Sequence, residues 1–275
     1  MEYTLYVMMS LVDVWRQGRD RYTSPNFAAV DYITQPAEYN QLIPENIDLV
    51  CGDPLLELQA TAMSTLANTQ LPTVNAWLGV IDWLADFFDQ IREDYDVAFV
   101  DANPSFSLYT QIALASTDKL VLPVMADDSS RRAIQNAFSL IYGLRLPSPI
   151  YSSYAFDTRL KAEGRELPKV HIIAKNRLTQ YMGPSSAYAA VLDTIERDLA
   201  ALLKSNKEIF TFATPKDGVV EIRDFQTTGV VAFARGCPFY EMRTGRLDVA
   251  GQRIQVNSDQ LALATEAVND LVSLL

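Results

Sequence analysis

The chain has 275 residues, 49% of them hydrophobic and 21% charged, which supplies one large or two small cores and excludes a disordered chain. No run reaches the roughly 18 uninterrupted apolar residues of a membrane-spanning helix. The net charge of −11 is uneven: residues 1–128 hold 5 Lys+Arg against 19 Asp+Glu, and residues 129–275 hold 18 against 15. Long-range attraction to nucleic acid is therefore excluded for the first half, and any such contact falls to a local patch in the second.

Residues 1–15 are apolar enough for a signal peptide, but they carry Glu2 and Asp13, lack a basic start and have no small-residue cleavage site. They read as a core-facing segment, and within the first forty residues only 3–9 has the character of a buried parallel strand. A short apolar run follows at 47–51. Asp53 and Pro54 then suit the N-cap and first position of a helix reaching about residue 69, with Leu55, Leu56, Leu58, Ala62 and Leu66 as its face. A second helix is expected over 74–93. Its Trp77, Leu78, Ile81, Trp83, Leu84, Phe87, Phe88 and Ile91 are too many for a narrow stripe, so it should be deeply packed.

Strands are then expected at 97–100 and 120–124, with helices over 105–115 and 129–142. A loop rich in Pro, Ser and Tyr covers 147–154. A strand at 170–174, a helix over 185–203, a strand at 209–213, an irregular stretch and a helix over 258–274 complete the chain. Continuous apolar strands separated by helices indicate an α/β protein with a mostly parallel sheet and helices on both faces. Cys51, Cys237 and the single histidine, His171, have no metal-type spacing. Silent sulfur chemistry fits a reducing compartment, so the chain is expected in the cytoplasm.

Chemistry concentrates at residues 95–105, Tyr-Asp-Val-Ala-Phe-Val-Asp-Ala-Asn-Pro-Ser. An apolar strand there ends in Asp101, at the sheet edge where α/β proteins bind ligands. Such a carboxylate suits a Mg²⁺ bound to nucleotide phosphates, or serves as a helix cap. The adjacent Asp127 and Asp128 read as a cap for the helix near Ser129. A different α/β enzyme built on Asp101 or on that pair is a further reading. A single histidine leaves it little scope for imidazole catalysis.

The segment from Glu93 to Ser105 resembles the YDYIxID-x-PPS run of the ParA/MinD family, the deviant-Walker ATPases that position plasmids, chromosomes and other cargo, with Asn103 in place of one proline. Ile112 to Val124 is similar to that family's NALxAADxVLIPV helix and strand, and Asn46 to Val50 to its NLDLIP strand. The resemblance covers about residues 42–275 and is most specific over 93–124. It divides the chain into an atypical N-terminal segment, 1–41, and an incomplete ParA-like nucleotide-switch domain, 42–275. It implies ATP and Mg²⁺ as cofactors, with Asp101 as the metal-side carboxylate. Asn176 falls where the family's Asn bonds the adenine edge, and Pro215 and Asp217 where a turn lies against the base. The resemblance also implies a homodimer, a ParB-like or other partner protein, and non-specific DNA binding. For DNA the candidate residues are Arg223, Arg235, Arg243, Arg246 and Arg253. A membrane role is not expected, because the last helix carries Asp259, Glu266 and Asp270 but no Lys or Arg.

One departure matters most. The family opens with a glycine-rich loop, KGGxGK followed by Ser or Thr, whose backbone amides and lysines hold the phosphates. Here 11 glycines are scattered, no two adjacent and none followed by lysine, and the family's DxDPQ segment is missing. Gly183-Pro184-Ser185-Ser186 is the nearest small-residue turn, and it reads as a plain helix start. Family-type hydrolysis is therefore not expected of these residues. The first phosphate-loop strand would also be missing beside the Asp101 strand. Either residues 1–40 fill that place in a new way, or the reading frame is a fragment of a longer protein; a fragment or a mis-assigned start is the favoured expectation. A non-catalytic pseudo-ATPase that dimerises or binds a partner is the alternative.

Overall fold

The computed structural model describes residues 4–8, 27–52, 56–69, 75–102, 105–125, 127–178 and 187–275. Contacts divide the chain into two compact units, Met1–Thr117 and Asp118–Leu275.

The first unit carries a parallel three-stranded sheet in the order β2–β1–β3, where β1 is Thr4–Met8, β2 is Ile47–Val50 and β3 is Val97–Asp101. Thr4 stands opposite Ile47 on one side and Val97 on the other, and Met8 stands opposite Asp101. The one early run with strand character thus takes a place beside the Asp101 strand, a flank that the favoured expectation left open. The other edge of β3 has no strand partner among the described residues. Thr34 extends the far side of β2 through two hydrogen bonds of 2.8 Å with Leu49.

Among the described residues four α-helices accompany this sheet: α1 (Leu56–Ala67), α2 (Ala76–Ile81), α3 (Trp83–Ile91) and α4 (Leu108–Ala115). They pack on one another around Met63, Ile81, Trp83, Leu84, Phe87 and Ile112, each at most 1% exposed. Burying a side chain of this size contributes about 1.5–3 kcal/mol. The single helix expected over 74–93 is two. Asn75 caps α2 by accepting from the Leu78 amide at 3.1 Å, and Asp82 (ψ near 1°) separates α2 from α3. The hydrogen-bond ladder passes through this bend, from Asp82 N to Leu78 O and from Asp86 N to Asp82 O, both 2.9 Å. In α1 the buried stripe is Leu56, Met63 and Ala67, while Leu58, Ala62 and Leu66 of the expected face are exposed. Asp53, Pro54 and Leu55 lie outside the described residues, as do 1–3, 9–26 and Val74.

The second unit carries a parallel sheet in the order β4–β5–β6: β4 (Lys119–Val124), β5 (Lys169–Leu178) and β6 (Val219–Arg223). Its helices are α5 (Asp128–Tyr142), α6 (Phe156–Ala162), α7 (Ala187–Ser205), α8 (Pro215–Gly218), α9 (Gln226–Arg235) and α10 (Ser258–Val272). An antiparallel hairpin, β7 (Gly245–Val249) and β8 (Gln252–Val256), stands before α10. Side chains alternate along a strand. Ile172 and Ala174 accordingly pack with Val220, Ile222, Leu271 and Leu274 on one face of this sheet, and Lys175 points to the opposite face, where it meets α7.

The strand expected at 209–213 is not formed. Phe210 bridges Val170 alone, and the Thr211 amide bonds the Val170 carbonyl at 3.0 Å. The reason is aromatic packing: Phe210 lies 5.7 Å from Phe138 and 5.3 Å from Phe212 between ring centroids. The chain leaves the sheet with these buried rings, turns through α8, and rejoins at Val219 opposite Ile173. The stretch read as irregular holds β6, α9 and the hairpin. That hairpin turns on Ala250 and Gly251, with φ of 51° and 82°, the left-handed pair of a type I′ turn. Leu247, Val249 and Ile254 pack on a small core of Val231, Cys237, Met242, Val256 and Leu261. Cys237 is thus a packing residue, and Cys51 is exposed.

Candidate functional site

Asp101 stands in the first unit, and every other sequence-predicted site residue in the second. At the carboxyl end of β3 Asp101 is exposed. The helix that follows begins at Leu108 with Ser107 in the N-cap position, so Asp101 does not cap it. Asn103 and Pro104 lie outside the described residues. The base of the strand is held from outside: the Tyr95 hydroxyl donates to Asp48 Oδ2 on β2 at 2.7 Å. Burial first, then Asp48, pushes the Tyr95 phenol well above its ordinary range. A free carboxylate at a strand's carboxyl end can accept from water or a hydrated cation. Among the described residues no group of three or more His, Cys, Asp and Glu side chains gathers into a metal site.

In the second unit Asn176 is half-buried in the carboxyl half of β5, where the pairing with β6 shifts register between Lys175 and Leu178. Pro215 is the first residue of α8. The Asp217 carboxylate accepts from the Thr214 amide at 3.2 Å and the Thr214 hydroxyl at 2.8 Å. These bonds close the turn that starts α8, a capping role. Because Val219 pairs with Ile173, this turn enters level with the middle of β5, whereas Asn176 stands three residues further toward its carboxyl end, roughly 10 Å along the strand. The structure therefore does not gather Asn176, Pro215 and Asp217 at one strand end.

It does gather arginines. Arg246 and Arg253 are both exposed, on the hairpin face opposite the apolar Leu247, Val249 and Ile254, with Asp248 paired across from Arg253. Arg235, in the last turn of α9, donates from Nη1 to the Asp248 carbonyl at 2.9 Å. Arg243 is exposed just before the hairpin, while Arg223 is half-buried at the end of β6, opposite Leu178. Two of the five, Arg246 and Arg253, thus share one hairpin face, and Arg235 reaches the backbone of the same hairpin. Asp128 opens α5, at the helix start where the Asp127–Asp128 pair was expected. The Gly183–Ser186 turn lies outside the described residues.

One residue was missed by sequence reasoning. Lys175, immediately before Asn176, has a side chain only 6% exposed, with its Nζ bonded to Glu196 of α7 and 3.5 Å from Glu221 Oε1 of β6. The available signal was a lysine inside an otherwise apolar strand, which a buried position tolerates only with acidic partners. No helix among the described residues is long and apolar enough to cross a membrane.

Residues 26–145 match the family model of an AAA domain. No curated protein matches the sequence. Among solved structures, the ATP complex of a singly substituted Cyanothece McdA superposes with a TM-score of 0.56 at 12% identity, over 98% of this chain and 85% of that one. Apo McdA from the same source gives 0.55 at 12% identity, over 97% and 88%. A putative plasmid partition protein from Borrelia burgdorferi bound to AMPPNP gives 0.46 at 11% identity, over 100% and 88%. The chain shares the α/β fold of McdA.

Proposed function

We infer that this chain is a ParA/MinD-type protein that positions plasmid, chromosome or other cargo, working as a binding module and not by turning over ATP within these 275 residues. The observation that carries the reading is the parallel strand β3 ending in an exposed Asp101, inside the segment matched to an AAA domain. The McdA fold supports it.

ATP and Mg²⁺ would supply a dimerising switch in such a protein, and Asp101 is the residue best placed toward the metal. Neither the sequence pattern nor the described site residues favour a triphosphate. No two glycines are adjacent and none is followed by lysine, where an amide cradle uses both. The Asp217 carboxylate is engaged by Thr214, and Asn176 stands apart in register from Pro215. The same misfit favours the second reading, a pseudo-ATPase that dimerises or holds a partner.

Anchoring to DNA falls to Arg235, Arg246 and Arg253, with Arg243 and Arg223 at the margins. Arginines on a rigid hairpin face suit phosphate contacts, which set affinity without reading sequence. The test is fluorescence anisotropy with a random-sequence duplex across salt concentrations. Each phosphate contact contributes a slope of about −0.9 in log K against log salt, so Arg246→Ala with Arg253→Ala should lower the slope by about 2. An unchanged slope and affinity would remove the DNA-anchoring role.

A further inference from the structure

The second unit has a surface that none of these roles uses. After α9 ends at Gly236, the chain makes a 3₁₀ turn over Phe239–Glu241 and returns through the hairpin to α10. Between that turn and α10 lies an open groove of about 560 Å³, lined among others by Phe239, Tyr240, Met242, Leu261, Glu266 and Asn269. The lining combines two aromatic rings, a thioether and an aliphatic side chain with one ionisable group other than the Tyr240 phenol, the Glu266 carboxylate. Tyr240 is 63% exposed even though it stands beside a hydrophobic core. Phe239 is fixed from below, its ring 4.9 Å from that of Phe225 in an edge-to-face contact.

The charge lining the groove is acidic: Glu266 lines it, and Arg243, exposed just after Met242, is not among its lining residues. Glu241 is exposed in the 3₁₀ turn, and α10 carries Asp259, Glu266 and Asp270 with no Lys or Arg. No lysine or arginine lines the groove. An anionic ligand is therefore repelled, which removes nucleic acid phosphates and acidic lipid headgroups as occupants. A purely apolar segment would leave the carboxylate without a partner. An arginine suits both halves of the surface: its planar guanidinium stacks on an aromatic face and offers paired N–H donors to a carboxylate. Met242 and Leu261 then receive an apolar neighbour of that arginine, with thioether flexibility helping the fit.

We propose that the groove between residues 239–242 and α10 docks a basic, apolar segment of a partner protein, with an arginine seated between Tyr240 and Glu266. The docking does not depend on nucleotide or on the arginine face of the hairpin, so the DNA titration above and the peptide titration below fail separately.

The probe is a fluorescein-labelled hexapeptide of alternating leucine and arginine, titrated with the full chain by fluorescence anisotropy. Expected is saturable binding that weakens about tenfold in Glu266→Gln, a loss of about 1.4 kcal/mol, and at least about threefold in Tyr240→Ala. Both side chains are exposed, so circular dichroism should show an unchanged fold. Glu208→Gln removes the same charge from an exposed position outside the groove and should leave affinity within about twofold. Equal weakening in Glu208→Gln, or equal binding of a leucine–glutamate peptide, would overturn the proposal, as would wild-type affinity in Glu266→Gln. A self-association of the chain that Glu266→Gln abolishes would also overturn it, by assigning the groove to a second copy.

Discussion

Lys175 offers an asymmetric test of how the second unit is held together. Its ammonium is almost wholly buried, yet both acidic partners reach it from the surface: Glu196 has a side chain 49% exposed and Glu221 one 66% exposed. Removing the lysine and removing the acids are therefore not equivalent. Lys175→Met leaves two carboxylates that water can solvate, and it fills the same volume with an apolar side chain. Replacing a buried ion pair in this way is often neutral or stabilising, so the urea midpoint should stay at or above that of the wild type. Glu221→Gln alone should cost less than about 1 kcal/mol, because a 3.5 Å contact to an exposed group is weak. Glu196→Gln removes the closer, charge-assisted bond and should cost about 1.5–3 kcal/mol. The double substitution Glu196→Gln with Glu221→Gln leaves a buried charge without an acid partner and should cost about 3–5 kcal/mol. Urea unfolding followed by circular dichroism at neutral pH measures all four. A double variant as stable as wild type, or a Lys175→Met variant less stable than the double variant, would refute the reasoning.

Three further outcomes follow from local geometry. A Cβ on Gly218 would stand 2.1 Å from the Phe212 ring, so Gly218→Ala should destabilise the second unit by about 1–3 kcal/mol, read as a lower urea midpoint. Ala250 occupies the left-handed region at φ 51°, where a non-glycine residue costs roughly 1–2 kcal/mol; Ala250→Gly or Ala250→Asn should raise thermal stability by about 1 kcal/mol. The Tyr95 phenol is held above its ordinary value by burial and by Asp48. Its stabilisation is thus complete below about pH 10 and lost as the pH rises beyond. Tyr95→Phe should flatten the alkaline limb of the stability profile and leave the acid limb unchanged.

Much of the fold is legible in the sequence because parallel strands covered on both faces must be continuously apolar. The runs before Cys51, Asp101, Met125 and Asn176 stand out for that reason, and the dense aromatics of α2 and α3 announce the first unit's core. Three things are not legible. In α1 apolar side chains lie almost all round the helix, so periodicity cannot choose between a face of Leu58, Ala62 and Leu66 and the one that is buried. Around 209–213 the propensity for strand is outweighed by the packing of Phe210 against Phe138, a contact between segments some seventy residues apart, and of Phe212 against Phe210. The hairpin hides because its turn is Ala250-Gly251, where the usual signal is asparagine or aspartate before glycine. At the candidate site, the strand-end position of Asp101 is readable from residues alone. The capping engagement of Asp217 and the shared hairpin face of Arg246 and Arg253 need the tertiary structure.

The most direct measurement is phosphate release from Mg²⁺-ATP by the purified 275-residue chain, alongside Asp101→Ala. A triphosphate requires a ring of backbone amides and a lysine to hold it, so both proteins should release phosphate only at the rate of buffer. Saturable hydrolysis by the wild type that disappears in Asp101→Ala would contradict the reading of this chain as a binding module.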